Sequence, residues 1–297
     1  MDINHANLET LFQAIDMRFK ASYNAEVSDT WKKLCTVFPM GTESIKFPLL
    51  DQIAGMRKWV GPRVINHIAS NAFAVAADDY EITYAMPRNA ILDDTYGLYV
   101  ALLDQIAVEA ARLPEDVITA LINGAATATW KGDGALVFGN TRKYGKNTIT
   151  NKGTSALSAA NLKTVMTAMT SYKGHGDAPM GVKPAVLVHG PALDWTAKDI
   201  LESPFIGTNG DPNPNPLYHA LEDVSLPKMT GSSWLVLARG PVNAIGYFER
   251  QAPNALVAKD DPKDEHVFNN KEFLYGADGR VAAEWLLPNL AYLNVVD

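Results

Sequence analysis

Between residues 8 and 19 the apolar positions Leu8, Leu11, Phe12, Ile15 and Phe19 recur at the three- and four-residue spacing of one helical face, predicting an amphipathic helix. The helical period then disappears. From Phe38 to Arg88 the chain is punctuated by Pro39, Gly41, Pro48, Gly55, Gly61, Pro62 and Pro87, with β-patterned runs at 72–75 and 80–84. This predicts an extended excursion with a hairpin, not a compact core. The clearest helix follows, where Asp93, Asp94 and Thr95 offer capping chemistry and Tyr99, Leu102, Leu103, Ile106, Ala110 and Leu113 form one stripe. At 1.5 Å per residue it would be on the order of 27 Å long. Pro114 with Glu115 and Asp116 marks a fresh helix start or a kink, and Val117, Ile118, Leu121 and Ile122 repeat the apolar face up to Gly124, so two consecutive helices are expected.

Residues 132–153 are rich in Gly, Asn, Thr and Lys and predict a loop or hairpin. Ser158 can cap a helix with the stripe Leu162, Val165, Met166 and Met169, ended by Lys173 and Gly174. A buried strand at 185–188 and a helix at 191–201 continue an α/β rhythm. The segment GTNGDPNPNP at 207–216 reads as a surface loop, because its three prolines fix φ and remove backbone donors. Strands are then expected at 234–238, 244–249, 255–258, 272–275, 281–286 and 290–295. The class is α+β.

The chain has 297 residues, 26 Lys plus Arg against 33 Asp plus Glu for a net charge of −7, and 47% hydrophobic residues. That is globular composition, long enough for about two domains at roughly 150 residues each. One cysteine cannot form an internal bridge. The longest apolar runs, at 72–77 and 98–103, fall far short of the ~18 residues of a membrane span. Asp2, Glu9 and Asp16 surround the first helix where a secretory signal would need a basic start, so the chain is expected to stay in the cytosol. Net acidity disfavours a surface that grips nucleic acid all over. The average hides local patches: Arg57, Lys58 and Arg63 lie close together, and residues 260–265 are mostly acidic.

Chemistry-bearing motifs are scarce. His5, His67, His175, His189, His219 and His266 show no metal-binding spacing, and Cys35 has no neighbouring cysteine. GNTRKYGKN at 139–147 has five residues between its glycines where a phosphate loop needs four, and reads as a polar turn. GxGxxG and GxSxG are absent. Asp211 with Asn209, Asn213 and Asn215 lacks the spacing and terminal Glu of a calcium loop. His175 with Asp177 is explained by a helix end and a turn, and Cys35 by a buried apolar role. A carboxylate pair for hydrolysis would exist only in three dimensions. The expectation is no catalytic residue, no metal and no cofactor.

What stands out is an order of segments: a helix, a long extended excursion, one long helix, an α/β region and a closing set of strands. RKWVGPR at 57–63, Pro87-Arg88, ILDDTYG at 91–97, Asp133-Gly134 and YGADGR at 275–280 resemble, in that order, the Mu-like phage major head subunit family. The resemblance is strongest over 45–140 and 268–293. The sequence departs after Trp130, where DGALVFGN at 133–140 replaces the family's aromatic run leading into His-Pro.

The resemblance implies the α+β Hong Kong 97-like capsid fold. Residues 1–38 would form an N-terminal arm and 39–88 an extended loop. Residues 89–155 and 262–297 would form a peripheral domain with a spine helix, and 156–261 an axial domain. A hairpin held away from the body cannot bury its own apolar side chains. Phe47, Leu50, Ile53, Arg57, Trp59 and Arg63 are therefore the subunit-interface candidates, and Trp59 between two arginines has the composition of an interface anchor. The alternative for Trp59 is packing within its own chain.

The implied function is a major capsid protein forming an icosahedral shell around double-stranded DNA that it does not bind sequence-specifically. Its partners would be itself, in pentamers and hexamers, with portal and head-decoration or completion proteins. Family-like segments begin within ~50 residues, which implies a separate scaffolding protein. No membrane is involved, and the chain would be a virion component assembled in the host bacterial cytoplasm. Two alternatives are a shell protein of an enzyme-filled compartment of the same fold, and a soluble hydrolase with an unrecognised carboxylate pair.

Overall fold

The computed structural model describes residues 5–48, 72–93, 98–140, 142–144, 146–174, 177–206, 213–261 and 263–296. The chain begins with α1 (His5–Glu26), β1 (Cys35–Pro39), β2 (Ser44–Pro48), β3 (Ala72–Ala76), β4 (Asp78–Pro87), α2 (Arg88–Leu92) and the long α3 (Leu98–Asn123). It continues with β5 (Arg142–Tyr144), β6 (Asn147–Ile149), β7 (Lys152–Gly153), α4 (Ala159–Thr170), β8 (Pro184–His189) and α5 (Asp194–Leu201). Then come β9 (Phe205–Ile206), β10 (Asn213–Pro214), β11 (Glu222–Ser225), β12 (Trp234–Ala238), β13 (Ile245–Gln251) and β14 (Leu256–Lys259). A short α6 (Glu265–Asn270) leads into β15 (Glu272–Trp285) and β16 (Ala291–Asn294). The predicted α+β class holds.

Two five-stranded sheets organise these elements. In the first, β15 pairs with β4 over residues 272–281 along one side, and along the other with β14 near its start and β13 near its end. The strand β1 closes that sheet, parallel to β13. The second has the order β11-β8-β12-β16-β7. Alternation along β15 turns Phe273, Tyr275, Ala277, Val281 and Trp285 to one face, which α1 and the first half of α3 cover near the start of the strand and the core between the sheets covers near its end, while Ala282 turns to the opposite face, onto the β2–β3 pair. The far face of the second sheet, with Leu187, Trp234 and Val236, is covered by Leu162, Val165 and Met169 of α4 and by Ala197, Ile200 and Leu201 of α5.

Expected elements were recovered with instructive differences. Ser158 caps α4 as predicted, its hydroxyl accepting from Asn161 N at 3.2 Å. Instead of two helices, α3 is one element with Pro114 inside it. Proline removes one backbone bond and crowds the preceding turn. The helix continues because Leu103, Ile106 and Ala110 are buried before the proline and Ile118 and Ile122 after it. Leu102, placed on the predicted stripe, is exposed. The cap residues Asp94 and Thr95 lie outside the described residues.

The strands expected at 272–275 and 281–286 are one continuous strand, so YGADGR, which spans the expected break, lies within β15. Gly276 is demanded by close approach: a Cβ there would come within 2.5 Å of the Ile82 carbonyl oxygen and 2.9 Å of Thr83 Oγ1.

Sheet membership also departs from the expected boundaries at 155/156 and 261/262. β13 and β14, expected in the axial unit, belong to the first sheet, and β16, expected in the peripheral unit, lies between β12 and β7 in the second. Strand periodicity marks which face is buried, not which sheet a strand joins. The segment expected as an arm includes α1, which packs on α3 through buried Ile15 and Phe19. Arg18 reinforces this contact with a two-pronged bond to Asp104 at 2.9 and 2.6 Å. Together with a bond from Ser22, that guanidinium holds the Asp104 carboxyl below the usual carboxylate range.

Candidate assembly surfaces

The root of the excursion is an antiparallel pair, β2 with β3, running from Ser44 opposite Ala76 to Pro48 opposite Ala72. Its alternation turns Phe47, Phe73 and Val75 inward onto Phe248, Ala282 and Leu286 of the first sheet. The Phe47 ring sits 5.6 Å from Phe38 and from Phe73 between centroids. This corrects the expectation for Phe47: it is 7% exposed and covered by its own chain, so it needs no neighbour. The hairpin is pinned to the body at its base, where β4 begins immediately after β3. Leu50, Ile53, Arg57, Trp59 and Arg63 lie outside the described residues.

A second surface was not singled out by pattern. From α5 to β11 the chain exposes Trp195 (79%), Phe205 (58%), Ile206 and Tyr218. One buried side chain shapes this segment. Asn215 donates through Nδ2 to Ile200 O and Ser203 O, both at 2.8 Å, and its Oδ1 accepts from Leu217 N at 2.9 Å. Backbone bonds from Asn215 N to Pro204 O and from His219 N to Leu201 O complete the brace. Lys198 lies 5.2 Å over the Trp195 ring. In sequence Asn215 was one polar residue of a loop; in the fold it fixes where the aromatic residues stand. Residues 207–212 of that loop lie outside the described residues.

His189, at the end of β8, is fully buried. Its Nε2 meets Asp223 Oδ1 at 2.8 Å and its Nδ1 meets the Gly190 carbonyl at 2.9 Å. Both ring nitrogens face acceptors, which suits the doubly protonated ring. Burial by itself pulls the imidazolium pKa down, but Asp223, the Gly190 carbonyl and Asp194 outweigh it and raise the pKa. Asp194 is in turn held by Ser225 Oγ at 2.6 Å. The group links β8, β11 and the start of α5, with the ring itself out of reach of solvent.

A polar notch lies where α1, α3 and the turn after β11 meet, lined by Glu26, Trp31, Arg112, Glu115, Asp116 and Lys228. Arg112 bonds Glu26 at 2.6 Å and Lys228 bonds Asp116 at 2.6 Å, while burial raises the Glu115 pKa. Asn123 accepts from Thr230 N at 3.2 Å and donates to Lys228 O at 3.1 Å. These bonds clamp α3 to the second sheet.

The weaker chemical readings resolve as structure. Cys35 is buried, its thiol pushed up to about 12 by burial, so it is no nucleophile at neutral pH. Within GNTRKYGKN, β5 and β6 pair as a hairpin, and buried Arg142 ion-pairs with Asp133 and lies 4.8 Å over Trp130. Among the described residues there is no cluster of three or more His, Cys, Asp or Glu placed to hold a metal. No helix among them is long and apolar enough to cross a membrane.

The model of a family described as "Mu-like prophage major head subunit gpT" matches residues 8–151, 144–229 and 222–295. The FluMu prophage major head subunit of Haemophilus influenzae is 25% identical over 166 residues, 55% of this chain and 51% of that one. That match therefore spans about half of the relative's length. The major capsid protein of Escherichia phage Mu is 22% identical over 283 residues, covering 95% of this chain and 72% of its own. Among solved structures, the procapsid of bacteriophage JBD30 superposes with a TM-score of 0.59 at 20% identity, covering 99% of this chain and 77% of that one. A virus-like particle from Pyrococcus furiosus gives 0.56 at 9% identity, covering 95% and 98%.

Proposed function

The chain belongs to the Mu-like prophage major head subunit gpT family and has the Hong Kong 97-type capsid fold, and on that premise we propose that many copies of it build the icosahedral wall of a phage head. The family is one of structural subunits, not enzymes. The observation that carries the proposal is the family match, which runs from residue 8 to residue 295 through both sheets.

In this reading the copies join as pentamers and hexamers and enclose double-stranded DNA without reading its sequence. Assembly takes place in the host bacterial cytoplasm with a separate scaffolding protein, and a portal and decoration or completion proteins join the virion. The first sheet with α1 and α3 serves as the peripheral unit, and the second sheet with α4 and α5 as the axial unit. Two surfaces make the contacts between copies. One is the segment 49–71, with Leu50, Ile53, Arg57, Trp59 and Arg63. The other is the braced segment from Trp195 to Tyr218, whose exposed aromatic side chains are the kind of anchor that interfaces bury.

Light scattering behind size exclusion, with negative-stain imaging of the same fractions, tests the proposal. Rings, tubes or closed shells, from the chain alone or with its scaffolding protein, are expected. A monodisperse monomer under both conditions would overturn it.

A further inference from the structure

We infer that the part of the second sheet's outer side formed by the β5–β6 hairpin, α4 and the turn after it, beside α5, is a basic face that meets the phosphate backbone of double-stranded DNA. The inference rests on the reading that copies of the chain enclose DNA and adds which face does so.

The charge distribution is strongly uneven. Residues 131–193 hold eight Lys or Arg against two acids, Asp133 and Asp177, a net +6, so the rest of the chain must carry −13 to give the total of −7. The structure gathers this segment on one side. Ile149, Leu162, Val165, Met169 and Tyr172 pack together over the face of the second sheet that points away from α3 and the first sheet. Asn147 of the hairpin donates to Gly174 O at 2.8 Å, and the Tyr172 hydroxyl donates to Thr150 O at 2.7 Å, tying the hairpin to the end of α4.

Lys143, Lys146, Lys163, Lys173 and Lys183 are all exposed, and none makes an ion pair among the described residues. Several cations elsewhere, among them Arg18, Lys33, Arg112 and Lys228, sit against carboxylates within the fold. The solvent side of α4 bears no acid, and its Thr164, Thr167 and Thr170 hydroxyls donate to carbonyls of their own helix, so the lysines carry the contact. Lys163 lies on α4, whose stretch from there to its end at Thr170 rises on the order of 10 Å, and Lys173 stands in the turn beyond it, so the face can touch several phosphates of one duplex. Its lysines are point charges without a bidentate arginine fork or a stacking aromatic. Binding of this kind is sequence-independent and weak per subunit, and it strengthens when many copies line one wall.

The test uses the full chain with a random-sequence duplex of about 30 base pairs. Amine acetylation followed by mass spectrometry is expected to show Lys143, Lys146, Lys163, Lys173 and Lys183 protected by DNA, with Lys20, Lys32 and Lys259 unprotected. Five such contacts give a slope of about −4.5 in log affinity against log salt, or a loss of roughly 500-fold between 50 and 200 mM. K143Q/K146Q/K163Q/K173Q should flatten the slope to about −1 with an unchanged melting temperature. Protection spread evenly over all lysines, or an unchanged slope in the variant, overturns the inference. So does stronger protection by a polyglutamate peptide of matched charge, which would make the partner an acidic protein. Shell formation by the same sample, read by negative stain, is an independent axis. Shells with unprotected lysines reject this face alone, whereas protected lysines without shells reject the wall and leave the face standing.

Discussion

Replacing Asn215 by alanine separates the brace from the surface it presents. The amide of Asn215 makes three hydrogen bonds, to Ile200 O, Ser203 O and Leu217 N, in a site where the residue is 8% exposed. At a net ~1 kcal/mol each their loss costs about 3 kcal/mol, and more for any group left dry. All three partners lie within residues 200–217, so the cost falls on local opening more than on global unfolding. Hydrogen exchange in that segment should speed up by about two orders of magnitude, since ~1.4 kcal/mol is tenfold. The melting temperature should move little, and shell yield should fall because Phe205, Ile206 and Tyr218 are no longer held. Asn215→Asp is the sharper variant: it keeps the acceptor for Leu217 N but turns a carboxylate oxygen toward two carbonyls. It should open the segment at least as far as alanine does. Unaltered exchange over 200–217 in both variants would refute the brace.

Four further outcomes follow from the same structure. Gly276→Val should push β4 off β15, lowering stability by about 1–3 kcal/mol as overpacking does, or more because the obstacle is the Ile82 carbonyl; thermal melting reads it. Phe47→Ala should cost about 3–5 kcal/mol of the subunit's own stability, whereas an unchanged melting temperature with lost assembly would restore the interface reading for Phe47. Trp195→Ser with Phe205→Ser should do the opposite, changing stability by under about 0.5 kcal/mol while reducing shell yield. For His189, whose folded pKa is raised above 6.5, the stabilisation is fully present below the unfolded pKa and is lost as pH rises through the folded one. The stability difference between the protein and His189→Gln should therefore be larger at pH 5.5 than at pH 9, and a pH-independent difference would show that the ring is held neutral.

Periodicity made legible whatever a single face decides. The stripe of α4, the cap at Ser158 and the buried strand at 234–238 were readable because each depends on residues a few positions apart. Pro114 misled because the burial that overrides it comes from two different clusters, supplied by residues far away in sequence. The split of β15 into two expected strands had a similar cause: Gly276 and Gly279 look like a turn until β4 and Pro253 are brought against them. Phe47 was assigned to an interface because its cover, Phe248 and Ala282, lies about two hundred residues downstream. Asn215 and His189 carried little local signal: apart from the bonds to Leu217 N and the Gly190 carbonyl, those that give them a role cross a loop or join separate elements.

How the two sheets are joined bears on how such a subunit could serve in a wall. One helix belongs to both: Leu103, Ile106 and Ala110 of α3 are buried against the first sheet, and Ile118 and Ile122 in the core shared with the second. Lys228 and Asn123 clamp its second half to the turn after β11, and Arg112 ties it to α1. A contact made at Trp195 or Phe205 therefore bears on the same packed body that carries the root of the hairpin. The consequence is a division of labour in energy. Buried clusters within the chain hold the subunit's shape, and the exposed aromatic side chains and free lysines contribute almost nothing to it. Such side chains can stay weak singly, because a closed shell repeats every contact and one rigid subunit engages several neighbours at once. Rigidity of the single chain is thus what lets weak contacts add: a hinge between the sheets would let each contact form alone, and the gain from simultaneous engagement would be lost.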